Sequence, residues 1–128
     1  APKKILALPS EIAMGQRVKD HKKKFRKSLS NDKLKKDPAY RGYTEENYLL
    51  EVDTPRFGSG EGKAAFRESV RGKDLFLLVD ICNHSITYNM NGFVNHMSQD
   101  DHYQDLKRVI MACNGKARRI NVIMPFLY

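Results

Sequence analysis

The chain has 128 residues and a formal net charge of +8. That length builds one compact domain with a real core and is too short for two ordinary ones. No stretch approaches the roughly 18 uninterrupted apolar residues of a membrane span, and Ala1-Pro2-Lys3-Lys4-Ile5 lacks the apolar segment of a signal peptide, so a membrane partner is not expected.

Lys4–Leu8 (KILAL) is predicted as a first strand, ended by Pro9-Ser10. Ser10 can cap a helix whose first turn carries Glu11. Met14, Val18, Phe25 and Leu29 recur at helical spacing and are expected to form its buried stripe. The other faces hold Lys19, Lys22, Lys23, Lys24, Arg26 and Lys27, followed by Lys33, Lys35 and Lys36. Such a run attracts nucleic acid, anionic membrane or phosphorylated metabolites, but it is also an ordinary solvated helix face. Aromatic residues are not interleaved through it, as a base-stacking surface would require.

The polar segment 30–47, with Pro38 and Gly42, reads as a surface connection. Tyr48–Val52 (YLLEV) is the second strand candidate, and Lys63–Ser69 a third, with Ala64, Phe66 and Glu68 alternating. Between them lies the loop from Thr54 to Glu61. Arg71-Gly72-Lys73-Asp74 is a turn. Leu75–Val79 (LFLLV) is continuously apolar, as befits a strand buried on both faces of a parallel sheet. The Asn-rich segment Asp80–Gln99 fits no single element and is expected to contain an irregular excursion. Ser98, with Asp101 three residues on, resembles a capping box. Leu106, Val109, Ile110 and Cys113 give the next helix its stripe, Asn114-Gly115 ends it, and Ile120–Met124 (INVIM) is the closing strand. Alternating strands and helices argue for an α/β sheet with right-handed crossovers.

The chemistry legible from residue types alone is sparse. In Phe57–Glu61 two glycines flank Ser59, Phe57 offers a ring for stacking, and Ser59 and Glu61 offer hydrogen bonds to a polar edge. The Gly-Lys-Ser/Thr ending of a phosphate-binding P-loop is missing. Loops of this composition are most often plain turns. His96, Asp100, Asp101 and His102 suggest a metal only by sequence proximity, because carboxylates at a helix start are expected anyway. His21 and His84 pair with nothing at ligand spacing. Cys82 and Cys113 lie far apart in apolar contexts, which points to reduced thiols and a cytoplasmic setting. No nucleophile elbow is present.

One stretch goes further. Arg56 to Asp74 reads RFGSGEGKAAFRESVRGKD. It resembles, without gaps, the R-F-S-D-G-E and E-S-V-R-G-K-D segments of the ribose-phosphate diphosphokinases (PRPP synthetases). Val122-Ile123-Met124-Pro125-Phe126 is similar to the V-I-P-Y that ends a strand in that family. The resemblance implies a phosphoribosyltransferase-type three-layer α/β sandwich with a mostly parallel sheet, residues 1–128 being a single domain from the N-terminal half of a subunit. It implies transfer of diphosphate from ATP to ribose 5-phosphate with Mg²⁺, in a homo-oligomer, the metal ligands and the catalytic half lying beyond this chain and the chain alone being inactive. Nucleotide binding would fall to Phe57, Ser59, Gly60 and Glu61, with the adenine held in a neighbouring subunit's site. An effector or phosphate site would use Ser69 and Arg71. Ser59 replaces the family's Asp, Asp80-Ile81-Cys82 replaces its Gln-Ser-Thr, and segments 30–47 and 83–99 look like insertions. Two other readings follow from these departures and from the charge: a non-catalytic regulatory relative, and a basic nucleic-acid-binding module built on Lys19–Lys36. The apolar end Met124–Tyr128 is expected to be exposed and to promote self-association.

Overall fold

A computed structural model describes residues 3–9, 12–27 and 48–128. The elements are β1 (Lys3–Ala7), α1 (Ile12–Lys27), β2 (Val52–Asp53), β3 (Ala65–Phe66), β4 (Asp74–Leu78), β5 (Thr87–Met90), β6 (Phe93–His96), α2 (Gln99–Ala112) and β7 (Arg119–Ile123). The main sheet has the order β1-β4-β7 and is parallel throughout, with Lys3, Asp74 and Arg119 in register. On the free side of β1, Ile5 N–H donates to the Tyr48 carbonyl (2.7 Å) and Leu50 N–H to the Ile5 carbonyl (2.8 Å). The expected strand Tyr48–Val52 is therefore a single parallel bridge at Leu49, followed by two residues of β2 that turn away to pair with β3.

Alternation along the strands divides the core in two. Leu6 and Leu8 from β1 and the residue beyond it, with Leu75, Leu77 and Val79, face α2 and pack with Leu106, Val109 and Cys113. Ile5 and Leu78 point the other way, to Tyr48 and α1. The chain leaves β1 through α1 toward Tyr48–Leu50 on one side, and leaves β4 through α2 toward β7 on the other. With one handedness for both crossovers, opposite directions put the two helices on opposite faces of the sheet. This is the three-layer arrangement that the family resemblance implies.

Gly15 sets how α1 sits. A Cβ there would stand 2.7 Å from the Ala7 Cβ, so a bare backbone is what lets the helix approach β1. The buried face of α1 is accordingly Gly15 with the partly covered Lys19, Lys22 and Lys23, not the apolar stripe. Lys22 Nζ lies 4.9 Å from the Tyr48 ring centroid, its stem covering the sheet. Met14 and Val18 are exposed, which corrects the sequence expectation. Helical spacing identifies an apolar side, but the close approach at Gly15 fixes which side meets the sheet. Ser10, Glu11, the Phe25 side chain, Leu29 and the 30–47 connection lie outside the described residues.

α2 begins as its sequence predicts. Ser98 Oγ accepts from Asp101 N–H, and Asp101 accepts from Ser98 N–H. It ends at Cys113, with Asn114 and Gly115 both at positive φ. Ile110, placed in the buried stripe by spacing, is instead 37% exposed, at the edge of the packed face. The excursion 80–99 is irregular only in part, over residues 80–86 and 97–98. It contains the antiparallel hairpin β5–β6, turned by Asn91-Gly92, both at positive φ (51° and 82°). Asn-Gly between short strands is a strong two-residue hairpin signal. The Lys63–Ser69 strand shrinks to two residues, with Ala64 and Phe66 against the core and Glu68 exposed. Among the described residues, no helix is long and apolar enough to cross a membrane.

Candidate functional site

The site begins with one buried cation. Arg56 has only 8% of its side chain exposed, and its Nη2 donates to Asp105 Oδ1 at 2.9 Å. The same nitrogen donates to the Asp101 carbonyl (3.2 Å), and Nη1 to the Gly60 carbonyl (3.4 Å). The Tyr88 ring covers its guanidinium at 5.2 Å. Asp105 also accepts from Arg108 Nη1 at 2.9 Å. A carboxylate with 3% of its side chain exposed thus holds two guanidinium groups. Burial pushes the Asp105 carboxyl above the ordinary carboxylate range, while both arginines pull it down.

This anchor fixes the Phe57–Glu61 turn. Phe57 N–H donates to the Glu61 carbonyl and Gly60 N–H to the Phe57 carbonyl, both at 2.8 Å. Arg56 and Gly62 form an antiparallel bridge below the turn. Gly60 has φ +90°, and a Cβ on it would lie 2.6 Å from Met90 Sδ. The hairpin closes over the turn, with Asn91 N–H donating to the Gly58 carbonyl at 2.9 Å. Ser59 and Glu61 stay exposed, and Phe57 is half exposed. The result is a turn with a rigid base and an open rim that offers a ring, a hydroxyl and a carboxylate.

The turn's base lies at the carboxyl edge of the parallel sheet. Arg56, Thr54, Met97 and Asp105 line a cavity with Pro9, just beyond β1, and with Tyr88 of the hairpin. In open α/β sheets, ligands collect at this edge, where crossovers diverge to either side. Here they diverge between β1 and β4.

Ser69 and Arg71 are placed elsewhere. Ser69 Oγ accepts from Arg71 N–H (3.2 Å), and the turn is tied to the far end of α2 by Gly72 N–H donating to the Lys116 carbonyl (3.0 Å). This is the amino edge of the sheet, before β4. From Asp105 to Cys113, α2 advances about 12 Å at 1.5 Å per residue. The structure therefore joins Phe57, Ser59, Gly60 and Glu61 in one turn and separates them from Ser69 and Arg71. Arg71 is exposed, with the likewise exposed Lys116, Arg118 and Arg119 at the same edge, while Lys73 pairs with Glu68 (3.5 Å).

His96, Asp100, Asp101 and His102 do not converge. His96 Nδ1 bonds the His84 carbonyl, Asp100 accepts from Tyr128 O–H, Asp101 caps α2, and His102 Nε2 donates to the Asn83 carbonyl. Among the described residues no group of three or more His, Cys, Asp or Glu could hold a metal ion.

Sequence reasoning missed Asp105, Arg108, Tyr88 and Met90. Asp105 did leave a signal. It falls on the face that carries Leu106, Val109 and Cys113, and a carboxylate on an apolar face requires a cationic partner. Nothing comparable marks Met90 or Tyr88, which matter only because of how the hairpin docks.

Comparison with known proteins adds two findings. The family described as the N-terminal domain of ribose phosphate pyrophosphokinase matches residues 4–128. Ribose-phosphate pyrophosphokinase 1 of Schizosaccharomyces pombe is 36% identical over 77 residues, which is 59% of this chain and 15% of that protein. The chain thus corresponds to a small part of that relative's length.

Proposed function

The chain belongs to the ribose phosphate pyrophosphokinase family, as its N-terminal domain, and from that premise we propose that it is the adenine-binding, subunit-interface part of an enzyme that transfers diphosphate from ATP to ribose 5-phosphate. The observation that carries this reading is the exposed Phe57–Glu61 rim standing on the buried Arg56–Asp105 pair. A fixed base lowers the ordering cost of binding, and a free rim leaves Phe57 to stack on a purine face. Glu61 accepts a hydrogen bond from the exocyclic amino group, and the Ser59 hydroxyl accepts from that group or donates to the adjoining ring nitrogen. Ser59 offers a weaker acceptor than the carboxylate that the family pattern carries there.

In this reading the chain supplies recognition and not chemistry. Diphosphoryl transfer needs positive charge and metal clustered around the moving group. The rim has neither, so the Mg²⁺ ligands and the ribose-phosphate pocket belong to a further domain, and the adenine enters a site completed by a second subunit. Ser69 and Arg71, at the opposite edge, form a separate site for an anionic effector, where a hydroxyl and a guanidinium suit phosphate oxygens. Two free cysteines, one buried, fit a reducing cytoplasm.

The test is a product assay. A polypeptide that carries this chain and a C-terminal catalytic domain, given ATP, ribose 5-phosphate and Mg²⁺, forms PRPP, and the 128-residue chain alone does not. In the longer protein Phe57→Ala raises KM for ATP about ten-fold, the loss of one stacking partner. A longer protein that is folded and forms no PRPP sinks the catalytic reading and favours a regulatory relative.

A further inference from the structure

The hairpin β5–β6 does more than brace the turn. In an antiparallel pair, directly opposed residues share a face and alternate residues share it along each strand. Tyr88 and Met90 touch Arg56 and Gly60, so their face is the one laid against the turn. Their cross-strand partners are Asn95 and Phe93. Phe93 is therefore on the turn-facing side of the hairpin, directly opposite Met90. Yet it is 74% exposed. Its ring is left largely to solvent.

Two exposed rings thus flank one point of contact. Asn91 N–H bonds the Gly58 carbonyl, Phe57 precedes Gly58, and Phe93 follows the Asn91-Gly92 turn. We propose that Phe93 is a second stacking residue, so that a planar heterocyclic base is held between Phe57 on the turn and Phe93 on the hairpin, with Ser59 and Glu61 at its edge. The inference rests on the reading of Phe57 as a base platform.

A protein partner fits this arrangement less well. Val94, the other exposed apolar side chain of the hairpin, is opposite Asn89 and belongs to the face turned away from the turn. Phe93 and Val94 therefore do not merge into one apolar patch. The groups exposed by the turn against which this face of the hairpin is laid are a ring, a hydroxyl and a carboxylate, the composition of a base site.

The experiment follows the Phe57 and Phe93 ring signals by NMR in the assembled polypeptide that carries this chain and a C-terminal catalytic domain, during titration with ATP, with inorganic tripolyphosphate as the phosphate-only control. Both ring signals shift with ATP and neither shifts with tripolyphosphate. Phe93→Ala weakens ATP binding five- to twenty-fold, and Phe93→Tyr restores it. Substitution at this exposed position leaves the fold intact, which the unchanged amide spectrum verifies. If Phe57→Ala weakens binding and Phe93→Ala does not, Phe93 is no part of the site while the Phe57 reading stands. If ATP moves neither ring, both fall. Ring shifts that follow protein concentration and not ATP overturn the proposal in favour of a contact between copies.

Discussion

Arg56 and Asp105 hold the site together through a pair that neither residue could maintain alone. Removing Arg56 leaves a buried carboxylate with Arg108 as its remaining cation. Breaking a buried pair from one side costs about 3–5 kcal/mol, and with Arg108 still in place Arg56→Ala is expected near the lower end, measured by urea unfolding. Arg56→Lys does not rescue it, because a single ammonium cannot reach Asp105, the Asp101 carbonyl and the Gly60 carbonyl at once. The pH dependence has a definite sign. Asp105 binds its proton more tightly folded than unfolded, because burial raises its pKa. Its contribution to stability is complete below the unfolded carboxylate value of about 3.9 and is lost as pH rises through the higher folded value. Wild-type protein should therefore lose stability relative to Asp105→Asn as pH rises from about 4. Urea midpoints for the two proteins across that window decide it, and a wild type that gains on the variant would mean the arginines outweigh burial.

At the level of elements, the turn and the hairpin form one unit. Gly60→Ala places a side chain at φ +90° and against Met90, and is expected to cost about 1–2 kcal/mol and loosen the turn. Gly58→Ala, with open space at its Cβ, should stay within about 0.5 kcal/mol. Hydrogen exchange at Phe57 and Gly60 N–H separates the two, rising only in the first. How far these elements were legible follows the range of the forces that set them. The capping box at Ser98 and the both-faces-buried strand at Leu75–Val79 are local patterns, and they are present as read. The Asn91-Gly92 hairpin was legible too, but a segment crowded with asparagine obscured its turn. The orientation of α1 was not legible. Met14 and Val18 mark an apolar side, and only the contact of Gly15 with Ala7 says that another side meets the sheet. The Phe57–Glu61 turn stood out by its residues, while the buried pair beneath it depends on Asp105, 49 positions along the chain from Arg56.

Across the whole molecule, the candidate site residues divide between the two edges of one sheet. The carboxyl edge carries Pro9, the Arg56–Asp105 anchor and the Phe57 rim, and the amino edge carries Ser69, Arg71 and exposed cations at Lys116, Arg118 and Arg119. A molecule so arranged can bind at one edge without occupying the other. Beyond β7, Phe126, Leu127 and Tyr128 are exposed, Leu127 at 86%, and Val122 and Ile123 add to the apolar surface, whereas Met124 packs on the core. An apolar strip of this kind favours self-association. Sedimentation velocity of the chain should show a concentration-dependent dimer that Leu127→Asp weakens, and a clean monomer at high concentration would exclude it. If the domain recognises a base at its carboxyl-edge turn, an amide chemical-shift titration with adenosine and with tripolyphosphate reads it out. Adenosine should move the Phe57–Glu61 amides while leaving those of Ser69 and Arg71 in place. Shifts with tripolyphosphate alone, concentrated on Lys19–Lys24 of α1, would contradict it and mark the chain as a general polyanion binder.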